Sequence, residues 1–365
     1  MKIEDYNCEE FIKATILGRS KIENISLCHG KAGHAIMLYE FGKKRKSKYV
    51  FSEASNFSSD VVNNLEGATS IDFEYGLSGI GWAIEYLYHR GFLTKPDLAK
   101  ITYFEDTIFR HILNAPFENI GLFDGWTGVA FFFQIRLCRH IKDRNRAGML
   151  IGEIAIEHIL RQIALCLARK NNFDVPLNFD LKWGLPWLII LLSKIIQTTK
   201  NRSKNLTDLI SKISILLKNS KISTPSYSLY FLLFSLYEIT KNMLKYKRRI
   251  NSKHYSAYIN LREQVLNTCT QIEFDRIKFY KAISRESDIA LARLILIELN
   301  KRSYVEKFLD QANWIKNDSV YFKMKIAPIK AVIECIENSK YSILNSKLSF
   351  GVCSMGSRLF SDGVS

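Results

Sequence analysis

The stretch EYGLSGIGWAIEYLY, residues 74 to 88, decides how this chain is read. Two glycines three residues apart, Gly76 and Gly79, stand at the head of a run that is apolar on nearly every face. A surface helix would keep a polar side, so the run predicts a helix buried all round. The same arrangement recurs in CHGKAGHAIMLYEF (28 to 41) and FDGWTGVAFFFQIRL (123 to 137), where the paired glycines are Gly30 with Gly33 and Gly125 with Gly128. A fourth copy, LKWGLPWLIILLSKI (181 to 195), keeps Gly184 and places Trp187 at the second glycine position. Three weaker copies follow: TPSYSLYFLLFSLYEI (224 to 239), AISRESDIALARLILIEL (282 to 299) and SFGVCSMGSRLF (349 to 360), in which Gly351 returns.

Seven copies about 40 to 70 residues apart form a tandem array, in which each unit covers its apolar surface only by packing on its neighbours. Between copies lie segments with apolar residues at three-to-four spacing: 97 to 113, 152 to 170, 205 to 219 and 259 to 272. These predict amphipathic outer helices. The last copy ends close to the carboxyl terminus with its apolar helix hardly covered, and packing of copy seven on copy one removes that problem. The expected architecture is therefore all-α, an α/α toroid (barrel) of seven inner and seven outer helices, as a single domain over residues 1–365. The glycines would rim one end.

Composition is compatible with this. At 365 residues and 47% hydrophobic content the chain can bury a sizeable core. Lysine and arginine total 52 against 36 acidic residues, a formal charge of +16. The basic runs GKKRKSK (42 to 48) and KYKRRINSK (245 to 253) read as solvated loops. They accompany no nucleic-acid motif, so no specific nucleic-acid partner is expected, while an acidic peptide would suit the charge. Seven cysteines, an odd number without Cys-x-x-Cys, point to reduced thiols, and the mixed acidic start MKIEDYNCEEFIK is unlike a secretory signal. A cytoplasmic location is expected. The most apolar stretches fall short of the roughly 20 residues that span a bilayer, so no membrane insertion is expected.

On GLSGIGWAIEYLY (76 to 88), GLFDGWTGVAFFF (121 to 133) and WGLPWLIILLSKI (183 to 195), the chain resembles the lanthionine synthetase C-like family, over about residues 26 to 195. That resemblance implies the seven-fold toroid. It also implies lanthipeptide-type chemistry, in which a cyclase adds a cysteine thiol of a precursor peptide to a dehydrated serine or threonine, with zinc at the rim generating the thiolate. Family cyclases hold zinc through a Trp-Cys-Tyr-Gly segment of the fifth inner turn and a Cys-His-Gly segment of the sixth, and use a histidine before the glycine of the fourth. This chain has Trp183 before Gly184, TPSYS (224 to 228) in the fifth copy and AISRES (282 to 287) in the sixth. The resemblance thus implies a pseudoenzyme that binds or presents a precursor peptide, with a dehydratase as a further partner and no cofactor.

Two enzymatic alternatives stand beside it. Cys28 and His29 spell the family's zinc pair in the first copy, and a closed ring would bring them near Cys353 of the seventh. Cys28, His29 and Cys353 would supply the three protein ligands of a catalytic zinc in an atypical cyclase. The plainer reading is a small buried thiol and a solvent-facing imidazole. Alternatively, Asp72, Glu74, Asp124 and Asp180 precede the inner helices, and rim carboxylates could serve a six-hairpin glycosidase-like hydrolase with Asp124 catalytic. Acidic residues just ahead of a helix also cap it. His34, one residue beyond Gly33, is a second catalytic candidate. Gly30, Gly76, Trp82, Gly125, Trp126, Trp183 and Trp187 are candidates for a binding pocket, the tryptophans alternatively for core packing. His89, His140 and His254 read as solvated.

Overall fold

The computed structural model describes residues 12–13, 15–28, 30–65, 70–94, 101–114, 117, 119–169, 185–198, 203–219, 228–246 and 252–269. From Lys31 onward these form ten α-helices, with no strand among the described residues. They are α1 (Lys31–Arg45), α2 (Lys48–Asn63), α3 (Leu77–His89), α4 (Ile101–Asn114), α5 (Trp126–Asp143), α6 (Arg146–Arg169), α7 (Leu185–Thr198), α8 (Lys204–Asn219), α9 (Ser228–Lys245) and α10 (Ser252–Cys269). The chain divides into two compact units that interleave along the sequence. One comprises 1–20, 222–230 and 264–365, and the other 21–221 and 231–263.

In the second unit the odd-numbered helices pack in succession, α1 on α3, α3 on α5 and α5 on α7, and α2, α4 and α6 each pack on the helix before them. Outer helices α6 and α8 also touch. Polar cross-links repeat along the inner row. Arg90, just past α3, grips Glu40 of α1 with Nε (2.6 Å) and Nη2 (2.8 Å), and Arg136 of α5 donates through Nη1 to Glu85 of α3 at 2.7 Å. Gln134 of α5 reaches Thr198 at 3.2 Å, and Asn242 of α9 donates to Ser193 of α7 at 2.6 Å. The outer row is linked where Asn205 Nδ2 donates to Glu157 Oε2 (2.9 Å) and where the Tyr258 hydroxyl donates to the Ile210 carbonyl (3.2 Å). Three successive helical hairpins, α1–α2, α3–α4 and α5–α6, therefore line up in this unit, with α7 extending one row and α8 the other.

The two rows bury different faces, as their sequences dictate. Outer helix α2 buries Val50, Ala54, Phe57, Ser58 and Val61, one stripe at helical spacing. Inner helix α3 buries every residue from Leu77 to Glu85, and α7 every residue from Leu185 to Ser193. Such a helix needs neighbours on all sides. Close inner packing also needs a missing side chain: a Cβ on Gly81 of α3 would stand 2.5 Å from the Phe132 ring of α5.

Candidate functional site

The ends of α1, α3 and α5 are entered through one turn built three times. Aligned on the first glycine, the turns read NISLCHG (24 to 30), SIDFEYG (70 to 76) and NIGLFDG (119 to 125). The first helical N–H folds back onto the carbonyl seven residues earlier: Lys31 on Asn24 (2.8 Å), Leu77 on Ser70 (2.9 Å) and Trp126 on Asn119 (3.2 Å). The next residue repeats this to the isoleucine carbonyl. Ala32 uses its N–H on Ile25 (3.3 Å), whereas Ser78 and Thr127 use their hydroxyls on Ile71 (2.5 Å) and Ile120 (2.6 Å). The leading Asn or Ser accepts the N–H two residues on, from Ser26 (2.8 Å), Asp72 (3.3 Å) and Gly121 (2.7 Å). These folds press the chain against the first glycine, where a Cβ on Gly76 would lie 2.5 Å from the Ser70 carbonyl oxygen.

The three turns are also bonded to one another through equivalent positions. Cys28 N–H donates to the Glu74 carbonyl (3.2 Å), and Glu74 N–H to the Phe123 carbonyl (3.2 Å), with Phe73 N–H joining at 2.8 Å. Three inner-helix N-termini are thereby held side by side. The second glycine lets each helix approach the previous turn: a Cβ on Gly79 would come within 3.1 Å of Leu27 Cβ, and one on Gly128 within 2.5 Å of Phe73 Cβ.

The two residues before each first glycine face differently. Cys28, Glu74 and Phe123 are buried, while Tyr75 and Asp124 are exposed. Asp72 is consumed locally, since its Oδ1 accepts from Tyr75 N–H (2.6 Å) and Gly76 N–H (3.2 Å) and its Oδ2 from the Ser70 hydroxyl. That is a turn-closing carboxylate. At Asp124, partial desolvation raises the carboxyl above the ordinary aspartate range. Its own backbone N–H and the Asn119 side chain pull the other way, and the neighbouring Glu74 and Asp72 charges add to the rise. Among the described turn carboxylates, Asp124 is thus exposed and raised above its ordinary range.

The remaining candidates fall as follows. Gly30, Gly76 and Gly125 sit at the rim as N-caps of α1, α3 and α5, and act as turn formers. His34 is wholly buried, its Nδ1 2.8 Å from the Gly30 carbonyl oxygen and its ring stacked on Phe57 of outer helix α2 at 5.8 Å. That is the place of a core residue. Trp126 is also wholly buried, pointing toward the outer layer, where Nε1 donates to the Phe117 carbonyl (3.0 Å) and the ring lies 6.0 Å from His158 of α6. Trp187 packs edge-on to Phe131, and Trp82 lies between Phe73 and Tyr86, both buried. Of the proposed zinc set only Cys28 is among the described residues. It is a buried thiol at the turn before α1. His29, Asp180, Trp183, Gly184 and Cys353 lie outside the described residues. Among those that are described, no group of three His, Cys, Asp or Glu side chains could hold a metal ion.

A second polar centre lies inside the protein, between α3, α4 and α5. Arg136, with no exposed surface, bonds Glu85 on one side and Glu105 of α4 on the other. Arg139 also reaches Glu85 (3.2 Å), and His140 Nε2 lies 3.3 Å from Glu105. His140 is therefore buried rather than solvated, because it sits where α5 turns against α6: Gly148 of α6 leaves room for its ring. Burial pushes Glu85 up to about 7 despite Arg136. Glu105 goes the other way. Burial would raise it, but hydrogen bonds from His140 and Arg136 outweigh that and hold it below the usual carboxylate range. Glu85 Oε2, Arg136 Nε and Arg139 Nε have no hydrogen-bond partner among the described residues. This cluster ties two repeats together, and its one sign in the sequence is glutamate and arginine inside otherwise apolar helices.

What the rim offers chemically is a row of helix N-termini with one accessible carboxyl and one accessible phenol. No described helix is long and apolar enough to cross a membrane. The chain matches no protein-family model and no curated protein sequence.

Proposed function

We propose that this protein is a lanthionine synthetase C-like toroid that binds or presents a precursor peptide in a peptide modification pathway, without making thioethers itself. The observation that carries the reading is the thrice-built turn, whose backbone bonds join equivalent positions of successive copies and hold the N-termini of α1, α3 and α5 side by side. The toroid is supported further by the all-round burial of α3 and α7. Their faces turned away from the outer helices need cover, and a ring supplies it from across its axis.

The test is titration of the purified protein with a dehydrated, cysteine-containing precursor peptide encoded beside it, with free thiols counted before and after. Saturable binding with an unchanged thiol count is expected. Loss of one thiol per ring would convert the protein into an active cyclase, and absence of binding would remove the peptide reading. A second reading is favoured by Asp124, whose raised carboxyl beside Glu74 has the character of a general acid in a glycoside hydrolase.

A further inference from the structure

The ends of the inner helices opposite the rim carry the other charge. At the corner between α1 and α2, Lys43, Lys46 and Lys48 are exposed, and residues 42–52 contain no acidic residue. At the equivalent corner between α5 and α6, Lys142, Arg144 and Arg146 are exposed, with Asp143 the single acid among them. The bonded rim turns hold α1, α3 and α5 parallel, so both corners lie at one end of the row.

Two of these cations occupy backbone positions that do not favour them. Lys46 (φ 54°) and Arg144 (φ 56°) are the left-handed C-caps of α1 and α5. Glycine is the unstrained choice there, and the intervening corner does place Gly91 (φ 75°) in that region. A single cation in the last turn satisfies a helix dipole, whose influence fades within that turn. Six exposed cations at two corners exceed that need and repel one another.

We infer that this basic end is a docking surface for an extended acidic peptide segment. The inference rests on the peptide-binding reading above and assigns a place to the part of the peptide remote from the rim. Inner helices spaced by about 8–10 Å put the two corners roughly 20 Å apart. About six residues of extended chain, at ~3.3 Å each, span that gap and can set alternate Asp or Glu side chains toward both corners.

The test uses the full chain and a fluorescein-labelled peptide of alternating Glu and Ala, about twelve residues and roughly 40 Å long, read by fluorescence anisotropy. Binding at low salt that fades as ionic strength passes ~0.15 M is expected. Replacing both left-handed cations, Lys46→Gly with Arg144→Gly, removes two charges while relieving the backbone. The urea midpoint should hold or rise, and affinity should fall about tenfold, at about threefold per charge. A control losing the same charge from outer helices, Arg110→Gln with Arg161→Gln, should stay within about twofold. If the glycine variant proves unstable, Lys48→Gln with Arg146→Gln gives the same reading.

Equal loss in variant and control, or no binding by the wild type, overturns the inference. So does tighter binding of a single-stranded oligonucleotide or of phosphatidylserine vesicles with the same loss in the variant. The probe contains no Cys, Ser or Thr, which separates the two ideas. Probe binding without capture of any precursor keeps the surface and removes the pathway, whereas precursor capture indifferent to the glycine variant does the reverse.

Discussion

Glu85→Gln should change how stability depends on pH in one defined window. Burial raises the Glu85 carboxyl from its ordinary 4.5 to about 7, even with Arg136 bonded to it. Between those values the unfolded chain has lost this proton and the folded chain still holds it. The folded state binds more protons, so stability falls as pH rises. The contribution is complete below about pH 4.5 and lost as pH passes about 7. At about 1.4 kcal/mol per pH unit, the interval is worth about 3 kcal/mol. Glutamine has nearly the same shape, keeps an oxygen to accept from Arg136 and cannot titrate, so it stands in for the protonated form. Urea unfolding of wild type and variant at about pH 5, 6, 7 and 8, expressed as the difference in stability at each pH, cancels groups common to both. The wild type should lose about 2–3 kcal/mol relative to the variant across the series, the first part of the change lying below pH 5. A difference flat to within about 1 kcal/mol, or one that grows in favour of the wild type with pH, would refute the assignment of an uncompensated buried carboxyl.

Arg136→Met strands Glu85 and Glu105 in the interior and should cost about 3–5 kcal/mol in urea unfolding near neutral pH; adding Glu85→Gln should recover part of it, a non-additivity read by a double-mutant cycle. Gly128→Ala drives a methyl into the Leu122 carbonyl and the Phe73 side chain. A loss of about 3 kcal/mol or more is expected by thermal unfolding, against about 1 kcal/mol for Gly91→Ala, where space is open and only the positive φ objects. Asn242→Ala leaves the Ser193 hydroxyl without its 2.6 Å donor and should cost about 1–2 kcal/mol, measured the same way. For the hydrolase reading, turnover on an oligosaccharide panel should vanish in Asp124→Asn, and a wild type inactive on the whole panel would retire that reading.

The glycine pairs and the alternation of fully apolar with amphipathic helices were legible in the sequence, because burial all round and burial on one stripe leave different periodicities. The buried charge cluster was not. Glu85, Arg136 and His140 sit at intervals an apolar helix tolerates, and only the packing of α4 across α3 and α5 reveals that they share one interior. The direction of Trp126 was equally hidden. An aromatic at a rim turn can point to the axis or to the outer row, and the choice depends on helix rotation, which the letters do not encode. The Asn or Ser followed by Ile, six and five residues before each glycine, was readable but lay upstream of the compared segments. NFDLKWG (178 to 184) begins with the same asparagine.

That upstream pair explains how the rim can vary its chemistry. The bonds common to all three turns come from backbone groups, from the leading Asn or Ser, or from the small residue two places after the glycine. To the bonds shared by all three turns the two residues before the glycine contribute main-chain atoms, through the N–H and carbonyl of Cys28, Glu74 and Phe123. The shared bonds make no demand on the identity of these side chains, which lets the pairs Cys-His, Glu-Tyr and Phe-Asp stand at equivalent sequence positions. A protein built this way can lose or move a ligand set without losing its fold. Exchanging Tyr75 for His should therefore leave stability within about 0.5 kcal/mol of wild type, as expected for an exposed position. A loss of about 2 kcal/mol or more would show that the side chain itself supports the turn, and the separation of scaffold from chemistry at this rim would fall with it.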